Sequence, residues 1–180
     1  MNKKSAVFVV DTTLGRLAKW LRIIGFDAHY KPSYKNMEIE NLLKDGRILL
    51  TRNKALKDNL RPSILISSDK IQNQLMEIKK IGLLPLTNKN WFRRCIRCNI
   101  PLQGVQMEDA RGRIPEYITS QNIEGIKHCP SCNRYFWPGS HRRRMLKQIK
   151  DWGLSGEENI TPRTQFDETD PFDTDTATCD

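Results

Sequence analysis

The stretch RILLTRNKAL, residues 47–56, decides how the chain is read. Ile48, Leu49 and Leu50 form an apolar run of strand length, and Thr51 closes it. Arg52 and Asn53 follow at once. In an α/β domain such a strand end is where ligands and catalytic groups gather. Asn53 is therefore a candidate site residue, and Arg52 a candidate phosphate contact.

Working outward, SAVFVVD (5–11) reads as a first strand that ends in an acid, Asp11. In TTLGRLAKWLRIIGFD, Leu14, Leu17, Ala18, Leu21 and Ile24 keep helical spacing. Thr12 or Thr13 can cap that helix and Gly25 can end it. Arg16, Lys19 and Arg22 fall on its other side, as a solvated face or as a phosphate-contacting one. DAHY (27–30) is a second strand, and NMEIENLLKDG (36–46) a helix stopped by Gly46. KALKDNL is a short helical piece broken by Pro62. SILISSD (63–69) is a further strand with Asp69 at its end, and 70–83 a further helix. This alternation is the signature of βαβ units and a parallel sheet. Right-handed crossovers then bring Asp11, Asn53 and Asp69 to one edge of the sheet.

The texture changes at Leu84. CIRC (95–98) and CPSC (129–132) follow in a polar, irregular segment. Two residues between thiolates let both sulfurs face one metal, and two such knuckles complete a tetrahedral site. Four thiolates leave no open catalytic position, which favours structural zinc on Cys95, Cys98, Cys129 and Cys132 over an iron–sulfur cluster or redox thiols. RYFWPGSHRRRM (134–145) interleaves aromatics with guanidiniums, a mixture suited to RNA. Arg142, Arg143 and Arg144 are read as phosphate contacts and His141 as a donor to phosphate or an aid to acid–base chemistry. Trp137 is read as packing the ribbon against the first domain, and Tyr135 either as doing the same or as stacking on a base. Residues 144–153 read as a closing helix, with Met145, Ile149 and Trp152 on one face.

Charge narrows the partner. Residues 151–180 carry one basic and nine acidic side chains, a net −8. Residues 1–150 carry 29 Lys and Arg against 12 Asp and Glu, a net +17. A body this basic attracts polyanions, with RNA first among them. No segment approaches the ~20 apolar residues of a spanning helix, and the first apolar run meets Asp11 too soon for a signal sequence. A cytoplasmic protein is expected, with RNA as partner and no membrane. The acidic, aperiodic residues 154–180 are expected to be disordered.

Taken in order from about Ala6 to about Met145, DTTLGRLAKWLRIIGFD, GRILLTRN, ILISSD, RCIRCNIPL and CPSCNRYFWPGSHRRRM resemble the mut-seven C-terminal RNase domain family. The resemblance implies a PIN-like α/β domain over 1–86, with a mostly parallel sheet flanked by helices. A zinc ribbon and closing helix over 87–153 and the acidic tail over 154–180 would follow. It also implies a metal-dependent endoribonuclease, in which Asp11, Asp27 and Asn53 hold Mg²⁺ or Mn²⁺. Where the family usually carries Asp, this chain has Asn53. At a second usual acid it has Lys35 or Asn36. Fewer carboxylates should weaken divalent-ion binding, so the alternative is a non-catalytic RNA-binding module on the same scaffold.

Overall fold

The computed structural model describes residues 5–84, 88–121 and 123–154. The tail expectation lies, from residue 155 onward, outside the described residues.

Residues 5–65 build the parallel sheet expected from the alternating pattern. Strands β1 (Val7–Val10), β2 (Asp27–Tyr30), β3 (Ile48–Thr51) and β4 (Ser63–Leu65) pair in the order β2-β1-β3-β4. All three ladders are parallel. Helices α1 (Gly15–Ile23), α2 (Asn36–Lys44), α3 (Lys54–Asn59) and α4 (Ile71–Lys80) connect and flank them. β1 lies inside the sheet, and the chain leaves it to one side for β2 and returns to the other for β3. That reversal opens a crevice beyond the carboxyl ends of β1 and β3.

Alternation along the strands sorts the two faces. Phe8, Val10 and Leu50 point into the larger core with Leu17 and Leu21 of α1 and Leu75 and Ile78 of α4. Val9 and Leu49 point to the opposite face and meet Ile39 and Leu43 of α2. α1 stops at Gly25, which has φ +94 and lies so close to the Asn90 carbonyl that no Cβ would fit. Both its dihedral and its contact require glycine.

A second, antiparallel sheet of β5 (Gln103–Gly104), β6 (Lys127–His128) and β7 (Tyr135–Phe136) carries the cysteines. The long gap between the two cysteine pairs is not an open loop. It holds α5 (Met107–Ala110) and α6 (Glu116–Ser120), which bury Ala110, Ile114 and Ile118 with Ile126. Tyr135 and Trp137 pack, but against this small cluster rather than against the first domain. The last helix, α7 (Ser140–Asp151), begins four residues before its expected start. It returns to the larger core, where Ile149 and Leu154 are fully buried and the Trp152 ring packs against Trp20 at a tilt of 59°, centroids 4.6 Å apart. No helix among the described residues is long and apolar enough to cross a membrane.

Candidate functional site

The crevice predicted by the strand order is a real cavity of about 350 Å³, lined by Asp11, Thr12, Tyr34, Asn36, Arg52 and Asn53 among others. Asp11 follows β1 directly and is 6% exposed. One carboxylate oxygen accepts from the Thr12 backbone N–H at 2.6 Å and from the Thr12 hydroxyl at 3.2 Å. The other accepts from the hydroxyls of Thr51 at 2.8 Å and Thr13 at 3.3 Å. Thr51 Oγ1 in turn accepts from the Asn53 N–H at 3.0 Å. A continuous hydrogen-bonded chain therefore joins the ends of β3 and β1.

Asn53 has a local task. Its Oδ1 accepts from the N–H groups of Ala55 (2.9 Å) and Leu56 (3.3 Å), which caps α3. Arg52 lines the cavity and pairs with Asp69, itself 82% exposed. Tyr34, which sequence pattern did not single out, closes another side of the cavity. Its hydroxyl meets His29 Nδ1 at 2.9 Å. Burial pushes the Tyr34 phenol up to about 12, and burial with the nearby Arg47 and Lys31 lowers His29. The pair is neutral near pH 7.

Asp27 does not join this group. It opens β2 rather than ending it, and its register partner is Val7. In a parallel sheet that places it at the opposite edge, roughly 13 Å from Asp11 along the strand direction. There it pairs with Arg47, accepts from Asn99 Nδ2 at 2.8 Å and lies 3.6 Å from Arg94. Burial raises its pKa, but the hydrogen bonds from Arg47 and Asn99 and both guanidiniums outweigh this and hold it below the usual carboxylate value. The expectation that Asp27 and Asp11 share an ion is corrected by this register. The polar lining of the cavity is then one carboxylate, several hydroxyls, two side-chain amides and a cation. It does not fit the clustered acids that hold Mg²⁺ or Mn²⁺ for phosphodiester cleavage.

Arg22 is also not where helical spacing suggested. It is 4% exposed, and it donates to the backbone carbonyls of Ala28 (2.9 Å), Ile96 (2.8 Å) and Arg97 (2.9 Å). It fastens the first cysteine knuckle to α1 and β2, so it is not a surface contact. Asn99 completes the fastening by accepting from the Ala28 N–H at 3.0 Å. Arg16 and Lys19 are exposed on α1, as expected.

The four cysteines do come together. Their sulfurs lie within 4.8 Å of one another, and Cys95 and Cys132 are 3.8 Å apart. A tetrahedral site with Zn–S bonds near 2.3 Å has sulfurs about 3.8 Å apart. The Cys98 N–H donates to Cys95 Sγ at 3.4 Å. Asn99 and Asn133, each just after the second cysteine of its pair, both take positive φ, at 65° and 55°. Each knuckle thus closes with the same left-handed turn, a signal that the repeated Cys-x-x-Cys-Asn pattern carried. Burial pushes the Cys95 thiol up to about 12, so its thiolate needs a cation beside it. Arg22, buried on neutral carbonyls, forms no ion pair among the described residues, and a four-thiolate metal centre would add negative charge beside it. The cluster fits a structural metal ion, and zinc is compatible with it.

Of the arginine run, Arg143, Arg144 and His141 are exposed on α7. Arg142 is not: its guanidinium lies 4.9 Å from the centre of the Phe92 ring, and its Nε is buried.

The parallel α/β sheet, with its crevice at the point where strand order reverses, is followed by a four-cysteine unit. Residues 6–149 match the Mut7-C RNAse domain family, and the chain belongs to it. Neither the curated proteins nor the solved structures compared with the chain gave a match. Membership points to a nuclease-like, RNA-related role.

Proposed function

We propose that the chain is an RNA-binding protein built on a nuclease scaffold, in which the β1/β3 cavity receives a ribose-phosphate segment without metal-dependent cleavage. The observation that carries this reading is the cavity's lining, in which Asp11 is the only carboxylate among the described residues. Asn53 stands where the resemblance implies a second acid, and Asp27 is committed to Arg47 and Asn99 at the other edge. Arg52 and exposed Arg16, Lys19, Arg143 and Arg144 would bind phosphates, with His141 as a further donor. Hydroxyls of Thr12 and Thr13 can meet the ribose. The four cysteines would hold zinc, whose role is to build the ribbon. A cytoplasmic location rests on the sequence reading alone.

A second reading, a Mg²⁺- or Mn²⁺-dependent endoribonuclease working from Asp11, is favoured by the family and by the position of Asp11 at the strand reversal. Mixed RNA incubated with Mn²⁺ separates the two. Binding without cleavage supports the first reading. Cleavage by wild type that disappears in Asp11→Ala replaces it with the second, and failure to bind RNA at moderate salt removes both.

A further inference from the structure

We propose that Arg93, Lys127 and Arg142, gathered around Phe92, form a second phosphate-binding site for an RNA strand, at the sheet edge remote from Asp11. Arg93 and Lys127 belong to no motif in the sequence. The inference rests on the RNA-binding reading above and assigns that RNA a second anchor.

Phe92 is the hub. It is a non-glycine residue in the left-handed region, with φ 55. Such a conformation is held only where its surroundings over-determine it. Its N–H donates to the Ile23 carbonyl at 2.8 Å, its own carbonyl accepts from Lys127 Nζ at 2.9 Å, and its ring lies beneath Arg142. The backbone twist thus turns the carbonyl and the ring of one residue toward two different cations. Arg93, the next residue, is exposed.

Three positive side chains converge with no compensating charge. No carboxylate of the described residues forms an ion pair with Arg93, Lys127 or Arg142. Arg142 Nε is buried without a hydrogen-bond partner among the described residues. α7 begins here with no acidic residue in its first turn, so nothing on the helix offsets the charge. Arg142 and Arg93 lie near enough to Lys127 for their charges to repel its ammonium. Like charges held together on a strained residue are what an anion would relieve. The oxygens of a phosphodiester match the planar donor fork of a guanidinium, with the Lys127 ammonium as a further point charge.

The position gives the site meaning. Ile23 ends α1, and Asp11 precedes the turn that starts it. α1 has nine residues, so about 14 Å of helix separates the two sites, with Arg16 and Lys19 exposed on it. A strand held at both ends would follow α1.

The test measures binding of a fluorescent oligouridine across a salt series without divalent ions. Wild type is compared with Arg93→Gln, with the triple glutamine variant and with Arg142→Lys. Metal content and thermal unfolding check each fold, and Arg93→Gln changes only an exposed side chain. The triple variant should bind at least tenfold more weakly, and its salt slope should fall by about 2, since each single-strand phosphate contact contributes about 0.7. Arg93→Gln should account for about a third of the slope change, and Arg142→Lys should keep the slope. If RNA binds but slope and affinity do not move, this site is wrong and the RNA reading stands. If wild type does not bind, both fail. Unchanged RNA binding with expansion of the variants in small-angle scattering would give the cluster to the chain's own acidic end and overturn the proposal.

Discussion

Asp11 and Asp27 sit at opposite ends of adjacent parallel strands, and their surroundings differ in kind. Asp11 accepts hydrogen bonds from hydroxyls and one N–H and borders an open cavity. Asp27 faces two guanidiniums and an amide and lies under the first cysteine knuckle. The Asp11 edge holds neutral, rotatable donors that can exchange partners with a ligand. The Asp27 edge holds fixed charges, whose removal leaves others unpaired. The comparison predicts that one end of the sheet carries binding and the other carries stability.

The largest effect should come from metal. The knuckle covers the exposed edge of β2, where Asn99 takes the Ala28 N–H that no strand pairs. Stripping the ion with a chelator, or Cys95→Ser, should unfold the small sheet, because structural zinc supplies about 10 kcal/mol or more to such units. Hydrogen exchange should then accelerate through the ribbon and also in Asp27–Tyr30, while Ile48–Thr51 stays protected. Unchanged protection in β2 would break the link between ribbon and edge.

Next comes the pair of aspartates themselves. Asp27→Ala strands Arg47 and Arg94, each about one-fifth exposed, and should cost about 3 kcal/mol in urea unfolding. Asp11→Ala leaves threonine hydroxyls that can turn to water in the cavity, at about 1–2 kcal/mol. Equal costs would erase the asymmetry. The order should invert for RNA affinity, which Asp27→Ala leaves near wild type in protein that remains folded.

That inversion bears on what the sequence made legible. Periodicity placed four strands and five of the seven α-helices, and strand order then put Asp11 and Asn53 on one edge. Asp27 already opens the DAHY strand in the sequence, and it was the resemblance, not the strand pattern, that grouped it with Asp11. The parallel register sets the two at opposite ends of adjacent strands. Arg22 is a different case. Spacing assigns it to the solvent side of α1, but the knuckle, 74 residues away in sequence, covers that side. Phe92, Arg93 and Lys127 gave no signal, since a left-handed phenylalanine has no sequence mark. The two asparagines after the cysteine pairs were legible, because such a turn favours Asn or Gly.

A smaller effect is expected with pH. Asp27 has a folded pKa below its unfolded value near 3.9, so its stabilisation is complete above about pH 4. It is lost as pH falls through the folded value, where the native carboxylate takes up a proton. Asp27→Asn should flatten the acid limb of the urea-midpoint profile below about pH 4 and change little of its slope above. A parallel acid limb in the variant would move the titration to other carboxylates.

The smallest effect on stability, and the sharpest on function, belongs to Asn53→Asp. Asn and Asp cap helices about equally well, so the Ala55 and Leu56 bonds persist and stability should move by only a few tenths of a kcal/mol. The added oxygen replaces Nδ2, an atom the cap does not use. It brings a second carboxylate to the cavity that Asp11 already borders. Two acids at one strand reversal can hold a divalent ion where one acid and an amide do not. Calorimetric titration with Mn²⁺ should therefore detect a site in the variant that is absent from wild type, and that site should vanish in the double variant with Asp11→Ala. An equal Mn²⁺ affinity in wild type would mean that Asp11 and the threonine hydroxyls already suffice. The cavity would then be a working metal site, and the division between a binding edge and a stabilising edge would sharpen into one between a catalytic edge and a stabilising one.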